Sequence, residues 1–166
     1  MRVLGIDPSL KSTGYGVLEY MNDVYSVLSY GVIKPDPKKE FHHKINEIKR
    51  TIEGLILDYK AEEVAIENPF FAQNIKTAIT LGQVRGATLI AVASQNLPLY
   101  EYSALEIKKS VTGYGQADKN QVCVMVKTLL SIEDDKMETD ASDALATAYC
   151  HLNSRIFQKR IEESEQ

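Results

Sequence analysis

The stretch Leu4-Gly5-Ile6-Asp7-Pro8-Ser9, followed by Gly14-Tyr15-Gly16-Val17, decides how the chain can fold. The apolar residues before Asp7 predict a buried strand that ends at this aspartate, and Pro8-Ser9 predicts a turn directly after it. The glycines that open the second segment predict a returning strand that another part of the backbone can approach closely. Asp7 is therefore expected at the edge of a core strand. It is either an Asx-turn residue that shapes the hairpin or a functional carboxylate.

Length and composition indicate a single globular unit. The chain has 166 residues, of which 44% are hydrophobic and 25% charged, so it can bury a core of its own. No apolar run approaches the roughly 20 residues that a membrane span needs. Met1-Arg2 leads directly into a strand rather than into a signal peptide. We therefore expect a cytoplasmic protein without a membrane partner.

The formal net charge of -4 is unevenly distributed along the chain. Residues 70–130 contain six lysines and arginines against three acidic residues, whereas residues 131–166 contain four against nine. An acidic protein can present a basic surface around an acidic centre that binds metal. Composition is thus compatible with a nucleic-acid partner but does not establish one.

The order of predicted elements is that of a mixed sheet. An antiparallel meander of three strands is predicted at residues 2–7, 14–21 and 24–33. Apolar residues at steps of three and four then predict an amphipathic helix over residues 41–59. Residues 63–67 form the next predicted strand, parallel to the first because a helix connects the two, and Glu67 ends it. The end of a central strand is where open α/β sheets carry their chemistry.

A second long helix, predicted over residues 76–95, is apolar almost all round. Gly82 and Gly86, four residues apart, leave a smooth stripe where another backbone could approach. A helix that is apolar on every side must be buried on every side. Its partners are either other parts of the same chain or a second subunit, and the residues alone favour neither.

The rest of the chain supplies a fifth strand, three helices and two further carboxylates. The strand is predicted at residues 98–102, and the helices at 103–111, 119–130 and 138–152. Asp140 and Asp143 lie three residues apart at the start of the last helix, so they project from one face. Acidic residues there can simply be favoured by the helix dipole. However, the alanines around them would let this helix pack tightly on a sheet and half-bury both aspartates.

Buried charges need partners, and the segment around Asp140 and Asp143 offers no nearby arginine or lysine. A hard divalent cation would supply the missing positive charge. With Asp7 and Glu67 at the ends of neighbouring strands, the two aspartates predict a site of four carboxylates. This is the ligand set of two-metal phosphoryl transfer, in which two Mg²⁺ ions assist hydrolysis of a phosphodiester.

Five motifs in this order make the chain similar to the RuvC family of bacterial Holliday-junction resolvases, within the RNase H-like nuclease superfamily. The resemblance extends over nearly the whole length. The matching segments are Gly5-Ile6-Asp7-Pro8, Thr13-Gly14-Tyr15-Gly16, Ala65-Ile66-Glu67 with Phe70, Leu81-Gly82-Gln83-Val84-Arg85-Gly86, and Asp140-Ala141-Ser142-Asp143-Ala144-Leu145-Ala146.

The resemblance implies an α/β protein with an RNase H-like fold, in which a five-stranded mixed sheet is flanked by helices. The nuclease domain is expected over residues 1–155, followed by a polar C-terminal tail over 156–166. The implied enzyme is a homodimer that resolves four-way DNA junctions by symmetric paired nicks in recombination and repair. Two Mg²⁺ ions per subunit are implied, with Mn²⁺ as a substitute, and the RuvA and RuvB branch-migration proteins as partners. The helix with Gly82 and Gly86 matches the dimer helix of the family.

The resemblance also implies a role for individual residues. The expected catalytic and metal-binding acids are Asp7, Glu67, Asp140 and Asp143. The expected DNA-binding residues are Phe70, which would stack on unpaired bases, and the basic residues Lys108, Lys119 and Arg85. Asn68-Pro69 departs from the family pattern, and the proline would stiffen the loop that carries Phe70.

Two other functions compete with a resolvase. A non-catalytic module that binds junctions would share the fold, but the presence of all four carboxylates argues against it. A sugar-kinase or actin-like ATPase is the second alternative, because Asp7 with Gly14 and Gly16 resembles the first phosphate loop of that superfamily. Such proteins need a second phosphate loop and a longer chain to enclose ATP.

Overall fold

The computed structural model describes residues 1–68 and 74–164, and they form one five-stranded sheet flanked by five helices. The strands are β1 (Arg2–Asp7), β2 (Thr13–Met21), β3 (Val24–Ile33), β4 (Glu63–Asn68) and β5 (Leu99–Ser103). The helices are α1 (Phe41–Tyr59), α2 (Ile75–Ser94), α3 (Ala104–Thr112), α4 (Lys119–Leu129) and α5 (Thr139–Ser164).

The sheet has the order β3-β2-β1-β4-β5, and β1 lies at its centre. Pairing is antiparallel from β3 to β1 and parallel from β1 to β5, which confirms the predicted mixed sheet. Because β1 and β4 run in the same direction side by side, their carboxyl ends meet at the same edge. Asp7 and Glu67 therefore end adjacent strands.

Helices cover the two faces of the sheet differently. On one face α5 crosses β1 and β2 and shares a core with α3 and α4, whereas α1 and α2 pack on the opposite face. The opening glycines explain how closely α5 approaches. A Cβ atom on Gly5 would overlap the backbone of Ala144 and Ala148, and one on Gly14 would overlap the backbone of Asp140. The predicted close approach of another backbone is confirmed, and the partner is α5.

The packing of α2 bears on one of the two alternatives for this helix, which is that it is buried within its own chain. Its buried residues, which include Val84, Ala91 and Val92, face the sheet and α1. Its other face is uncovered by the described residues, since Ile75 is 79% exposed and Ile90 59% exposed. The helix is thus not sandwiched inside the described part of one chain.

The last helix is longer than predicted. It was expected to end near Leu152, but α5 continues to Ser164, so residues 156–164 of the expected polar tail are helical. No glycine or proline interrupts residues 153–164, and Lys159 forms an ion pair with Glu163 one helical turn later. The apolar pattern on which the predicted end was based stops earlier than the helix does. None of the helices described is both long and apolar enough to span a membrane.

Candidate active site

Three aspartates converge where β1 ends and α5 begins. Asp7 is the last residue of β1, and Asp140 and Asp143 lie in the first turns of α5. One carboxylate oxygen from each residue lies within 4.8 Å of the others. The glycine at position 14, which pairs with Asp7 across β1 and β2, brings the start of α5 to this point.

Glu67 lies beside this group rather than inside it. Among the described residues, the compact set of carboxylates contains only Asp7, Asp140 and Asp143. Glu67 lines the same cavity of about 310 Å³ as Asp7 and Asp143. The structure thus brings the four predicted acids to one edge of the sheet, with three in a compact cluster and the fourth in the cavity that it shares with Asp7 and Asp143.

Burial and mutual repulsion make this carboxylate cluster costly without a cation. Burial is the largest cause that raises the pKa of Asp7, to about 7, and the charges of Glu67, Asp143 and Asp140 add to it. Burial and then the charge of Asp143 likewise raise the pKa of Glu67. A hard divalent ion bound by oxygen ligands would relieve both effects, so these residues fit a Mg²⁺ site.

Lys119 supplies the basic partner that the sequence around the aspartates lacks. Its Nζ lies 2.8 Å from Oδ2 of Asp143, and this hydrogen bond is the largest cause that raises the pKa of Lys119. Lys119 is the first residue of α4, and Asp118 caps that helix through a capping box with Gln121. The segment around the aspartates itself offers no nearby arginine or lysine, and the partner of Asp143 comes from another helix.

Lys108 reaches the same cavity from α3. Ser103 begins this helix with a capping box that includes Glu106, as its predicted start requires. The charges of Lys119 and Lys108 lower the pKa of Glu67, in opposition to its burial. Both lysines predicted beside the acids are therefore part of the cavity.

Arg85 also lines the cavity, but its guanidinium is engaged within the protein. Its Nη1 donates a hydrogen bond to the backbone carbonyl of Glu67 at 3.1 Å, and its Nη2 lies 2.5 Å from Oε1 of Glu101. Only 16% of the Arg85 side chain is exposed. The prediction that Arg85 binds DNA stays a prediction, and the sequence had no signal for Glu101, which reads as an ordinary charged residue in a strand.

Phe70, predicted to stack on bases, lies outside the described residues, as does Pro69. The stacking role of Phe70 stays a prediction.

The arrangement defines the class of RNase H-like nucleases. It consists of a mixed sheet of this order with carboxylates at the ends of β1 and β4 and at the start of α5. The family model for crossover junction endodeoxyribonuclease RuvC matches residues 3–151. The chain therefore belongs to the RuvC family. This membership removes the ATPase alternative.

Individual relatives are similar over almost their full length. The crossover junction endodeoxyribonuclease RuvC of Caldanaerobacter subterraneus subsp. tengcongensis is 42% identical over 161 residues, which cover 97% of this chain and 98% of the relative. The structure of Thermus thermophilus RuvC is similar with a TM-score of 0.84 at 28% identity, covering 94% of this chain and 96% of that one. A structure of the same Thermus protein in complex with a Holliday junction substrate gives a TM-score of 0.84 at 26% identity, with the same coverage.

Proposed function

We propose that this chain is a crossover junction endodeoxyribonuclease that resolves Holliday junctions by metal-dependent hydrolysis of phosphodiester bonds in recombination and repair. The observation that carries the proposal is the convergence of Asp7, Asp140 and Asp143 within 4.8 Å on the fold of this family. The relatives that it matches carry this activity in their names, and one Thermus relative has been solved with a junction substrate.

The four acids would hold two Mg²⁺ ions per subunit, with Mn²⁺ able to replace them. Bound ions of this kind activate a water molecule and stabilise the leaving oxygen of a phosphodiester. Lys119 and Lys108 line the cavity, where their ammonium groups can contact a phosphate oxygen and balance the charge that develops on it. Asp143 orients Lys119 through their 2.8 Å contact.

We also propose that the protein is a homodimer formed through α2. The exposed face of α2 combines large apolar residues such as Ile79 and Ile90 with Gly82 and Gly86. A Cβ at either glycine would meet none of the described atoms within 4 Å, so another helix has room to approach there. Two subunits supply two acidic sites, as paired nicks require. The family resemblance adds three further parts to this proposal. They are base stacking by Phe70, the RuvA and RuvB proteins as partners, and a cytoplasmic location.

The activity is tested on a four-way junction and on a linear duplex with the same arm sequences. We expect selective binding of the junction in EDTA and paired symmetric nicks when Mg²⁺ is added. Asp7→Asn should bind the junction and fail to cut it, because it removes a central carboxylate. Wild-type binding without cleavage in either Mg²⁺ or Mn²⁺, on junctions of several sequences, would support the non-catalytic module instead.

The dimer is tested separately by sedimentation with Ile90→Glu, which places a charge in the centre of the proposed interface. We expect a dimer for the wild type and a monomer for the variant. Leu57→Glu is the matched control, because Leu57 is a similarly exposed apolar residue on α1 (62% exposed). Monomeric wild-type protein at micromolar concentration, or a dimer that is lost only in Leu57→Glu, would contradict an interface through α2.

A further inference from the structure

Arg85 connects the two faces of the sheet at the point where β4 ends. The helix that carries it, α2, packs on the face with α1, whereas the aspartates of α5 belong to the opposite face. The Arg85 side chain lines the cavity together with Glu67, Asp7 and Asp143. Its Nη1 donates to the Glu67 carbonyl.

The end of β4 is paired on one side only. Pairing between β1 and β4 ends at Ile6 and Ile66, so Glu67 lies one residue beyond that ladder. Pairing with β5 continues through Glu67 and Tyr102. The hydrogen bond from Arg85 thus holds the backbone of Glu67 just beyond the point where its contact with β1 ends.

Glu101 in turn holds Arg85. It lies on β5, paired with Ile66, and its carboxylate contacts Nη2 of Arg85 while Nη1 binds the Glu67 carbonyl. A guanidinium can make both contacts because it is a rigid fork with several donors, whereas the single ammonium of a lysine is a point charge. The three residues form a bridge from α2 to the ends of β4 and β5.

We infer that Arg85, held by Glu101, is a positioning residue that fixes the end of β4 and thereby keeps the Glu67 carboxylate in the cavity that it shares with Asp7 and Asp143. The inference rests on the proposed function, in which Glu67 is a metal ligand. Glu67 depends on such support more than the others, since it is the acid outside the compact cluster. Arg85 then acts on metal binding through the strand and does not need to contact DNA.

The test compares Arg85→Met, Arg85→Lys and Glu101→Gln in the full chain without DNA. Binding of Mn²⁺ is followed by the electron paramagnetic resonance signal of the free ion. We expect both Arg85 variants to bind Mn²⁺ about 10-fold more weakly, as is typical when a residue that orients a metal ligand is lost. Glu101→Gln should weaken binding less, and the double variant Arg85→Lys with Glu101→Gln should be no worse than Arg85→Lys alone.

Arg2 provides a matched control at the opposite end of the sheet. Its guanidinium also joins a carbonyl and a glutamate, at 3.2 Å from the oxygen of Tyr59 and 2.8 Å from Oε1 of Glu19. Arg2→Lys should leave Mn²⁺ affinity unchanged. Thermal unfolding of each variant verifies that the chain is folded at the assay temperature. If Arg85→Met does not fold, Arg85→Lys still tests the inference, because it retains the positive charge.

Junction binding in EDTA separates positioning from DNA contact. The positioning role predicts wild-type junction affinity, within about twofold, for all three variants. The inference would be overturned if both Arg85 variants bound Mn²⁺ with wild-type affinity. It would also be overturned if Arg85→Met bound the junction more weakly while Arg85→Lys had both wild-type junction binding and full cleavage. A wild-type chain that binds no Mn²⁺ and cuts no junction would overturn the proposed function, whereas an active wild type with unaffected variants would overturn the inference alone.

Discussion

The ammonium nitrogen of Lys119 lies 2.8 Å from Oδ2 of Asp143, although 24 positions separate the two residues in the sequence. The carboxylate cluster therefore contains a cation that belongs to the protein. Lys119 is also 68% exposed, so the same ammonium faces the solvent from which a DNA phosphate would arrive. Its position suits two tasks that mutation can separate: partial neutralisation of the aspartates and stabilisation of charge on a phosphate.

Lys119→Met is expected to reduce junction cleavage at saturating Mg²⁺ by about 100-fold or more, which is typical when a group that stabilises transition-state charge is removed. Mn²⁺ affinity of the DNA-free protein should stay the same or rise, because a positive charge near the cation site has been removed. Single-turnover cleavage and a Mn²⁺ titration measure the two effects. Lys109→Met is the control, because Lys109 is an exposed lysine of α3 that does not line the cavity. A parallel fall in Mn²⁺ affinity would show that Lys119 supports the site structurally.

Asp7 should make the metal-free protein less stable as the pH rises. Its pKa is about 7 in the folded chain, against 3.8 as the ordinary value, chiefly because of burial. Between these pH values the folded chain holds more protons than the unfolded chain, so the free energy of unfolding decreases with rising pH. Asp7→Asn removes this cost, and in EDTA at pH 8 it should be more stable than the wild type by about 1–3 kcal/mol.

Thermal unfolding in EDTA measures this difference, which should shrink at pH 5. Added Mg²⁺ should stabilise the wild type and leave Asp7→Asn almost unchanged. Asp58→Asn, on an exposed acid of α1, should follow the wild type at every pH. If Asp7→Asn is the less stable protein in EDTA at pH 8, then the Asp7 carboxylate is stabilised in the metal-free fold, and burial and repulsion do not destabilise it there.

The sequence predicted those parts of the fold that depend on short-range patterns of residues. Residues a few positions apart determine the strand that ends at Asp7, the turn after it and the helical period of α1. The sheet order follows from the lengths and types of the segments that connect the strands. The bridge from Arg85 to Glu101 had no such signal, because it depends on the register between β4 and β5. The residue patterns alone did not pair Lys119 with Asp143 for a similar reason, and only the family resemblance placed this lysine at the site. The helix cap at Asp118 indicates where α4 begins, but not that its first residue meets α5.

The buried histidine of α5 should make the protein less stable as the pH falls. His151 is fully buried, with Nε2 2.5 Å from Oε2 of Glu63 and Nδ1 2.7 Å from the hydroxyl of Tyr102. Burial lowers the pKa of His151, and this effect exceeds the opposing hydrogen bond and charge of Glu63. Below about pH 6.5 the unfolded chain gains a proton that the folded chain does not take up, so stability is lost there.

His151→Gln measures this contribution. At pH 7.5 the variant should be less stable than the wild type by about 1–3 kcal/mol, because buried hydrogen bonds are lost. At pH 5.5 the difference in unfolding free energy between the variant and the wild type should be smaller. Only the wild type has a histidine at this position that takes up a proton on unfolding. Chemical denaturation at both pH values provides the comparison, with the exposed His42→Gln as a control that should match the wild type. A gap that widens towards pH 5.5 would mean that His151 is protonated in the fold.

Gly14→Ala should disturb the active site by moving the start of α5. A Cβ at position 14 would overlap the carbonyl of Asp140, so the helix must shift away from β2 and take Asp140 with it. We expect a loss of about 2–3 kcal/mol in unfolding free energy and a loss of cleavage that persists at temperatures where the variant is folded.

Gly54→Ala is the matched control. Its Cβ would meet none of the described atoms within 4 Å in the middle of α1, and it should stabilise the protein by about 0.5–1 kcal/mol with normal cleavage. Because the two substitutions add the same methyl group, a Gly14→Ala variant that is as stable and active as Gly54→Ala would show that the contact between β2 and α5 does not set the position of Asp140.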